Sequence, residues 1–390
     1  MHLRIALAAT LALAAVPARA DFSDCLSGLR GSALGSGVSA ATFDSATRGL
    51  QANMEVIGFL NDQPEFKTPI YDYLAVLVDD ERVSDGKARM REHGGALASA
   101  EARYGVDKAT IAAVWGVESD FGKGFGKRPI VQSLATLSCF GRRQAFFRTE
   151  LNAALKILDR GDVNPAHFNG SWAGAFGHTQ FMPSTFLSTA VDMDGDGKRD
   201  VIDSVPDAMG STANYLRKAG WVGGLPWGYE VTVPTGYSGP TGRGNKRAMS
   251  SYAALGVKRV DGGSLGDAAA GLLLPAGARG PGFLVTRNFD AIYAYNAAES
   301  YALAIALLSD RLRGGPGMQT AWPVADRGIS RAERREVQTL LKAKGYDIEK
   351  IDGAIGTNSR RAIADYQTRL GVSRDGRPSG SVLDALRAGK

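Results

Sequence analysis

The 390-residue chain predicts a mainly α-helical, α+β fold with a small β-rich insert and a C-terminal three-helix bundle. Three observations predict it. Apolar residues recur at helical spacing, between capping residues and stop signals, through most of the chain. Residues 223–285 shift to Gly, Pro and β-branched residues with short alternating runs such as Glu230-Val-Thr-Val233. After a Gly- and Pro-dense stretch, Gly314 to Pro323, the last part of the chain returns to short amphipathic periods. An apolar fraction of 44% is that of a globular protein with a substantial core.

The first residues, Met1 to Arg4, the apolar run Ile5 to Val16 and then Ala18-Arg-Ala20, have the pattern of a secretory signal, with cleavage expected before Asp21. The run is too short to span a bilayer comfortably. Cys25 follows Ser-Asp rather than a small-residue lipidation pattern, so a periplasmic protein without a membrane anchor is expected. Phe43 to Leu60 carries a helical pattern that Asp62-Gln-Pro-Glu-Phe66 breaks, and Arg82 to Tyr104 reads as the next helix. Phe147, Leu151, Leu155 and Leu158 mark one face of a helix stopped by Gly161; Val205, Met209, Thr212 and Leu216 mark another, with Pro206 near its start. After the β-rich stretch, helix returns at Ala297 to Leu312, where Tyr301, Ile305 and Leu308 share a face. The expected organisation is a signal at 1–20, a large domain at 21–312, a linker at 313–328 and a bundle at 329–390. The bundle's helices are marked by Val337, Leu340 and Leu341, by Ile363, Tyr366 and Leu370, and by Val382, Leu383 and Leu386.

Removing Arg4 and Arg19 with the signal takes the formal charge from +6 to +4. So mild an excess, without any long Lys/Arg run, does not imply nucleic acid; it suits an anionic polymer or ordinary solubility. In an oxidising compartment the two cysteines, Cys25 and Cys139, are expected to form one disulfide.

The chemistry centres on Asp107 to Gly122. Asp107 is a fitting N-cap, and Ile111, Val114 and Trp115 repeat at helical spacing, so that Glu118 ends an apolar stripe. Desolvation and the negative end of the helix dipole both favour the neutral carboxyl, which is what a general acid needs. The alternative for such a residue is a partly exposed Glu, or one paired with Arg142 or Arg143. Gly170 to Ser184 is poor helix and poor strand; it is either a tight packing turn or, with Ser171, Gln180 and its aromatics, part of a sugar site. Asp192 to Asp203 places carboxylates at loop positions one, three, five, nine and twelve with glycine at six, close to a calcium loop. Its candidate ligands are Asp192, Asp194, Asp196, Lys198 and Asp203, the last a short Asp where a calcium loop usually has Glu.

Ala113-Val-Trp-Gly-Val-Glu-Ser-Asp-Phe-Gly122 and Gly170-Ser-Trp-Ala-Gly-Ala-Phe-Gly-His-Thr-Gln-Phe-Met-Pro-Ser184 together resemble the lytic transglycosylases of the B family, lysozyme-like enzymes that cleave bacterial peptidoglycan. The resemblance extends over Asp62 to Phe66, Cys139 to Arg143, Asp207 to Tyr215, Leu225 to Val231, Leu273 to Gly277, Asn288-Phe289 and Tyr295 to Tyr301. It implies a lysozyme-like catalytic domain in which Glu118 is the acid/base and Ser171 helps orient the reacting N-acetyl group. It also implies that Gln180, Tyr295, Asn296 and Tyr301 line the sugar cleft and that Arg142 and Arg143 lie beside it. Phe176 stands where the family's motif has Met, and Tyr252 where Trp is usual.

The implied reaction needs only one carboxyl, because the substrate's own 2-acetamido oxygen can attack the anomeric carbon. A C6 hydroxyl then closes on C1 and leaves a 1,6-anhydromuramyl end, and no cofactor is required for the chemistry. The family also implies one structural Ca²⁺ in the Asp192 loop, with Asp207, a turn after Asp203, matching its late ligand. The last part, through Val337-Gln338, Gly345-Tyr346, Asp352-Gly353, Tyr366-Gln367 and Asp375-Gly376, resembles the peptidoglycan-binding domain 1 family. Peptidoglycan glycan strands are the expected partner, with other cell-wall enzymes as further candidates. The competing readings are a hydrolytic muramidase and an inactive wall-binding scaffold.

Overall fold

The computed structural model describes residues 22–61 and 68–390, so the signal segment and the Asp62–Phe66 break lie outside the described residues. The helical part opens with α1 (Phe22–Gly35), α2 (Ala40–Thr47), α3 (Glu55–Asn61), α4 (Ile70–Leu77), α5 (Asp80–Glu92), α6 (Gly94–Tyr104) and α7 (Lys108–Ser119). The single helix expected over Phe43–Leu60 is therefore two. Gly49 at φ +68° turns the chain after α2, and the Asn53 side chain accepts from Glu55 N at the start of α3. The expected Arg82–Tyr104 helix is likewise α5 and α6, broken at His93 just before Gly94-Gly95.

The strand pair β1 (Arg128–Pro129) and β2 (Asn169–Gly170) brackets the helices α8 (Ile130–Phe140) and α9 (Gln144–Asp159). These two pack on each other beneath α1, α2 and α3. The disulfide Cys25–Cys139, with Cα atoms 5.9 Å apart, fastens α1 to the end of α8. Then follow α10 (Pro183–Thr189) and α11 (Val205–Lys218), the latter capped by Ser204 and carrying Pro206 in its first turn.

The β-rich insert forms a five-stranded antiparallel sheet of β3 (Gly228–Thr232), β4 (Arg247–Ala248), β5 (Lys258–Arg259), β6 (Ala269–Leu273) and β7 (Gly282–Val285), in spatial order β4-β6-β7-β3-β5. A short helix, α12 (Met249–Ala254), completes it, and Tyr252, Val231, Leu272 and Leu284 belong to a core of its own. Residues 287–296, where no helix is expected from the sequence, form α13 (Arg287–Asn296), because the Thr286 side chain caps it. Then comes α14 (Glu299–Leu312).

α7 lies at the centre, packed against α5, α6, α11 and α14. Every residue from Ala109 to Gly116 is buried, so the helix is enclosed on all sides rather than along one stripe. Its Ala and Gly residues let the neighbours approach closely. No helix among the described residues is long and apolar enough to cross a membrane.

The bundle consists of α15 (Arg331–Ala343), α16 (Thr357–Leu370) and α17 (Gly380–Arg387), and a Ser330/Glu333 capping box opens α15. Ile329, Val337, Leu341, Ile363, Tyr366 and Leu383 form a hydrophobic core separate from that of the larger part. The connecting stretch is not a free tether. The Glu230 carboxylate accepts from Gln319 N (3.0 Å) and Thr320 N (2.7 Å), and Trp322 packs beside Tyr71.

Candidate active site

Glu118 sits in the last turn of α7, which ends abruptly after it. Asp120 (φ 50°) and Phe121 (φ 57°) turn into the left-handed region, and the Asp120 N–H reaches back to the Trp115 carbonyl. Asp tolerates that conformation, but a bulky Phe there is an outlier that the surroundings must hold. They do so through a close fit: the Phe121 ring lies so near Gly116 that a Cβ at that glycine would come within 2.5 Å of it. The sharp turn leaves Glu118 at the rim of the buried helix instead of in a continuing one.

Glu118 keeps some solvent exposure, yet its carboxyl is enclosed densely enough that burial raises its pKa from 4.5 to about 7. A hydrogen bond from the Tyr301 hydroxyl to Oε1 opposes that rise by favouring the carboxylate. Among the described residues, the charge of no other carboxylate contributes to the shift. Burial and the negative charge of Glu118 in turn raise the phenols of Tyr301 and Tyr295 well above the ordinary tyrosine range, and push Tyr73 up to about 12. All three therefore stay protonated as potential donors.

The Gly170–Ser184 segment is locked onto α7. Trp115 Nε1 donates to His178 Nδ1 (2.8 Å), and Ser119 Oγ donates to the His178 carbonyl (3.0 Å). Burial holds His178 down at about 4, so near neutral pH it remains the uncharged acceptor that this bond requires. The loop leaving α7 runs into β1, which pairs with β2 directly before Ser171. Ser171 closes a tight turn: its Oγ accepts from Ala175 N (3.0 Å) and its N–H donates to the Ala175 carbonyl (2.8 Å). Gln180, at φ 48°, donates to the carbonyls of Phe125 (3.3 Å) and Gly177 (2.9 Å). Tyr295 donates to the Thr179 carbonyl (2.8 Å), and its ring stacks on Tyr301 (6.3 Å between centroids) and contacts Tyr215 and Phe181.

Glu118, Tyr301, Tyr295 and Gln180 are thus joined by one set of contacts, with Ser171 held on the same locked segment. Asn296 is exposed at the end of α13. Arg142 and Arg143 lie elsewhere, at the turn between α8 and α9. Arg142 donates to the Leu60 carbonyl (2.5 Å) and Arg143 covers the Phe146 ring, so neither is the partner of Glu118 that the sequence left open. Tyr73, His178 and Arg82, which donates to the Gly116 carbonyl, are given no role by the sequence, since His178 lies within the Gly170–Ser184 motif without a role of its own and Tyr73 and Arg82 belong to no site motif.

In the acidic loop, oxygens of Asp192, Asp194, Asp196 and Asp207 all lie within 4.8 Å of one another. Four hard carboxylate donors on a turn suit Ca²⁺. Asp203 is diverted to His167 Nδ1 (2.7 Å), which leaves Asp207 as the residue closing the group. Asp207 is fully buried and accepts from Met193 N and Asp200 N (2.7 Å each), which fixes it in place. The Lys198 side chain is exposed, and its N–H donates to Asp196 Oδ1 (2.8 Å).

The chain is 33% identical over 239 residues to the membrane-bound lytic murein transglycosylase B of Escherichia coli (strain K12), across 60% of this chain and 64% of that protein's length. It resembles the crystal structure of SltB3 from Pseudomonas aeruginosa in complex with NAG-anhNAM-pentapeptide, with a TM-score of 0.76 and 44% identity over 94% of this chain and 99% of that one. It also resembles the E. coli lytic transglycosylase Slt35 in complex with calcium, with a TM-score of 0.65 and 29% identity over 75% of this chain and 94% of that one. Residues 330–386 match the putative peptidoglycan binding domain family. Residues 21–310 match the transglycosylase SLT domain, and the chain belongs to that family.

Proposed function

We propose that this protein is a lytic transglycosylase that cleaves the MurNAc-GlcNAc bond of peptidoglycan and leaves 1,6-anhydromuramyl ends. The observation that carries the reading is the Glu118 carboxyl, raised to about 7 by burial and hydrogen-bonded to a phenol, with no second carboxylate among the described residues acting on it. Near neutral pH a substantial fraction is protonated and can donate to the glycosidic oxygen. The nearest acid in sequence, Asp120, is engaged by Arg82 and Arg331 and offers no base for water.

With one carboxyl, the acetamido oxygen of the substrate is the natural nucleophile. Ionised Glu118 then takes the proton of the C6 hydroxyl, whose attachment to the same sugar gives it a large effective concentration over water. Ser171 orients the N-acetyl group, and Tyr295, packed against buried Phe181 and Tyr301, receives the sugars together with Gln180 and Asn296. Arg142 and Arg143 bind farther along the strand, toward its anionic groups. Ca²⁺, held by Asp192, Asp194, Asp196 and Asp207, with Lys198 contributing its backbone carbonyl, stabilises the loop. The likeness to a calcium-bound relative supports this assignment.

Residues 329–390 bind insoluble wall, and a periplasmic location after removal of residues 1–20 follows from the substrate and the leader pattern. Mass spectrometry of muropeptides released from purified sacculi tests the reaction: anhydro ends are expected, and reducing ends alone would establish a hydrolytic muramidase instead. Pull-down by sacculi, compared between the full chain and one ending at residue 328, tests wall binding; equal retention would remove that role.

A further inference from the structure

We propose that Arg331, the first residue of α15 in the C-terminal bundle, is a positioning residue for Glu118, so that docking of the bundle sets turnover as well as attachment. The proposal rests on the reading of Glu118 as acid/base. Arg331 reaches out of the bundle into the larger part. Its Nε and Nη2 donate to the Asp79 carboxylate (3.0 and 3.1 Å), its backbone N–H donates to the same group (3.0 Å), and its Nη1 donates to Asp120 Oδ1 (3.1 Å). The Asp79 side chain is only 3% exposed and that of Arg331 13%, so these bonds are shielded from water, where charge-assisted pairs are strongest.

The two carboxylates that Arg331 bridges both lead to the catalytic turn. Asp79 caps α5 by accepting from Arg82 N (2.8 Å). Arg82, itself buried, reaches Asp120 Oδ1 (3.2 Å) and donates to the Gly116 carbonyl. Gly116 and Asp120 stand two residues before and two after Glu118. A regular helix would satisfy the Gly116 carbonyl with the N–H of residue 120, but in the left-handed turn that N–H goes to Trp115. Arg82 replaces it. The last turn of α7 is therefore held by a chain of charges, Asp79–Arg331–Asp120–Arg82, in which Arg331 belongs to the wall-binding bundle. Removing that link leaves Asp120 with Arg82 as its remaining cation and takes the guanidinium from Asp79, and so loosens the strained turn that aims Glu118.

The other ion pairs docking the bundle include Arg335 with Glu81 (2.6 Å), which lies partly exposed on the outer face of α5 and touches neither flank of Glu118. This allows a clean test in the full chain, with a short soluble glycan as substrate so that wall binding is not rate-determining. Arg331→Ala is expected to lower kcat about tenfold or more with KM within about twofold, since misplacing a catalytic group acts on the chemical step. Arg331→Lys, which keeps the charge but not the fork that spans two carboxylates, recovers only part of the loss. Arg335→Ala retains parental kcat. Asp120→Asn, nearly isosteric, breaks the same bridge from the catalytic side and should reproduce the loss even if Arg331→Ala fails to fold. Parental kcat in Arg331→Ala or in Asp120→Asn, or an equal loss in Arg335→Ala, overturns the proposal. A Glu118→Gln variant that keeps parental turnover overturns the reading of Glu118 instead.

Discussion

Replacing Glu118 by Gln should stabilise the protein while abolishing its activity, and the size of the gain can be worked from the site. Burial moves the carboxyl from 4.5 to about 7, and each factor of ten in proton affinity corresponds to about 1.4 kcal/mol. The folded state binds this proton more tightly than the unfolded chain does. The penalty is therefore absent below about pH 4.5, grows as pH rises, and is complete above about 7. At pH 8 the ionised group costs about 3 kcal/mol of stability, to order of magnitude. An amide has nearly the same shape, can still accept from Tyr301 and carries no charge to desolvate. Glu118→Gln should thus unfold at higher urea than the parent at pH 8, by about 2–3 kcal/mol, and the difference should shrink to near zero by about pH 4.5. Turnover of sacculi by the same variant should fall at least about 100-fold, because the amide neither gives nor takes the proton. A variant no more stable than the parent at pH 8, or a gain that does not depend on pH, would refute the assignment of a desolvated carboxyl at this position.

Three further outcomes follow from the same geometry. Tyr301→Phe removes the hydrogen bond that holds the Glu118 pKa down, so the alkaline limb of the kcat–pH profile should move to higher pH; an unmoved limb would separate Tyr301 from the acid. Calcium should raise the melting temperature as its concentration passes its dissociation constant, magnesium less so. Asp203→Ala should keep that calcium increment and Asp192→Ala should lose it, whereas an increment that depends on Asp203 would contradict Asp207 as the closing ligand. Replacing both Cys25 and Cys139 by Ser opens a cross-link spanning 114 residues and should cost up to about 4–5 kcal/mol by chain entropy; unchanged denaturant midpoints would show that the link adds nothing.

The sequence by itself determined the class of the fold and singled out Glu118 as the candidate acid, because both rest on short-range signals. A capped apolar helix ending in Glu118, a Gly- and β-branched insert, a Gly/Pro stretch and an acidic loop with glycine at its sixth position are all local patterns with local physical causes. What those patterns could not carry is where a chain folds back. Phe43 to Leu60 keeps helical spacing across a turn that Gly49 and Asn53 enforce. The donor to Glu118 is Tyr301, 183 residues away. The sequence leaves the closing ligand open between Asp203 and Asp207; in the fold Asp207 lies in the acidic group and Asp203 is bonded to His167. The stretch around 313–328 reads as a tether by composition. Tertiary packing instead lays it on Glu230 and brings Arg331 against Asp79 and Asp120. Helical period and turn chemistry act over a few residues, whereas partners for a buried charge are chosen by whichever distant side chains the folded core brings within hydrogen-bonding distance.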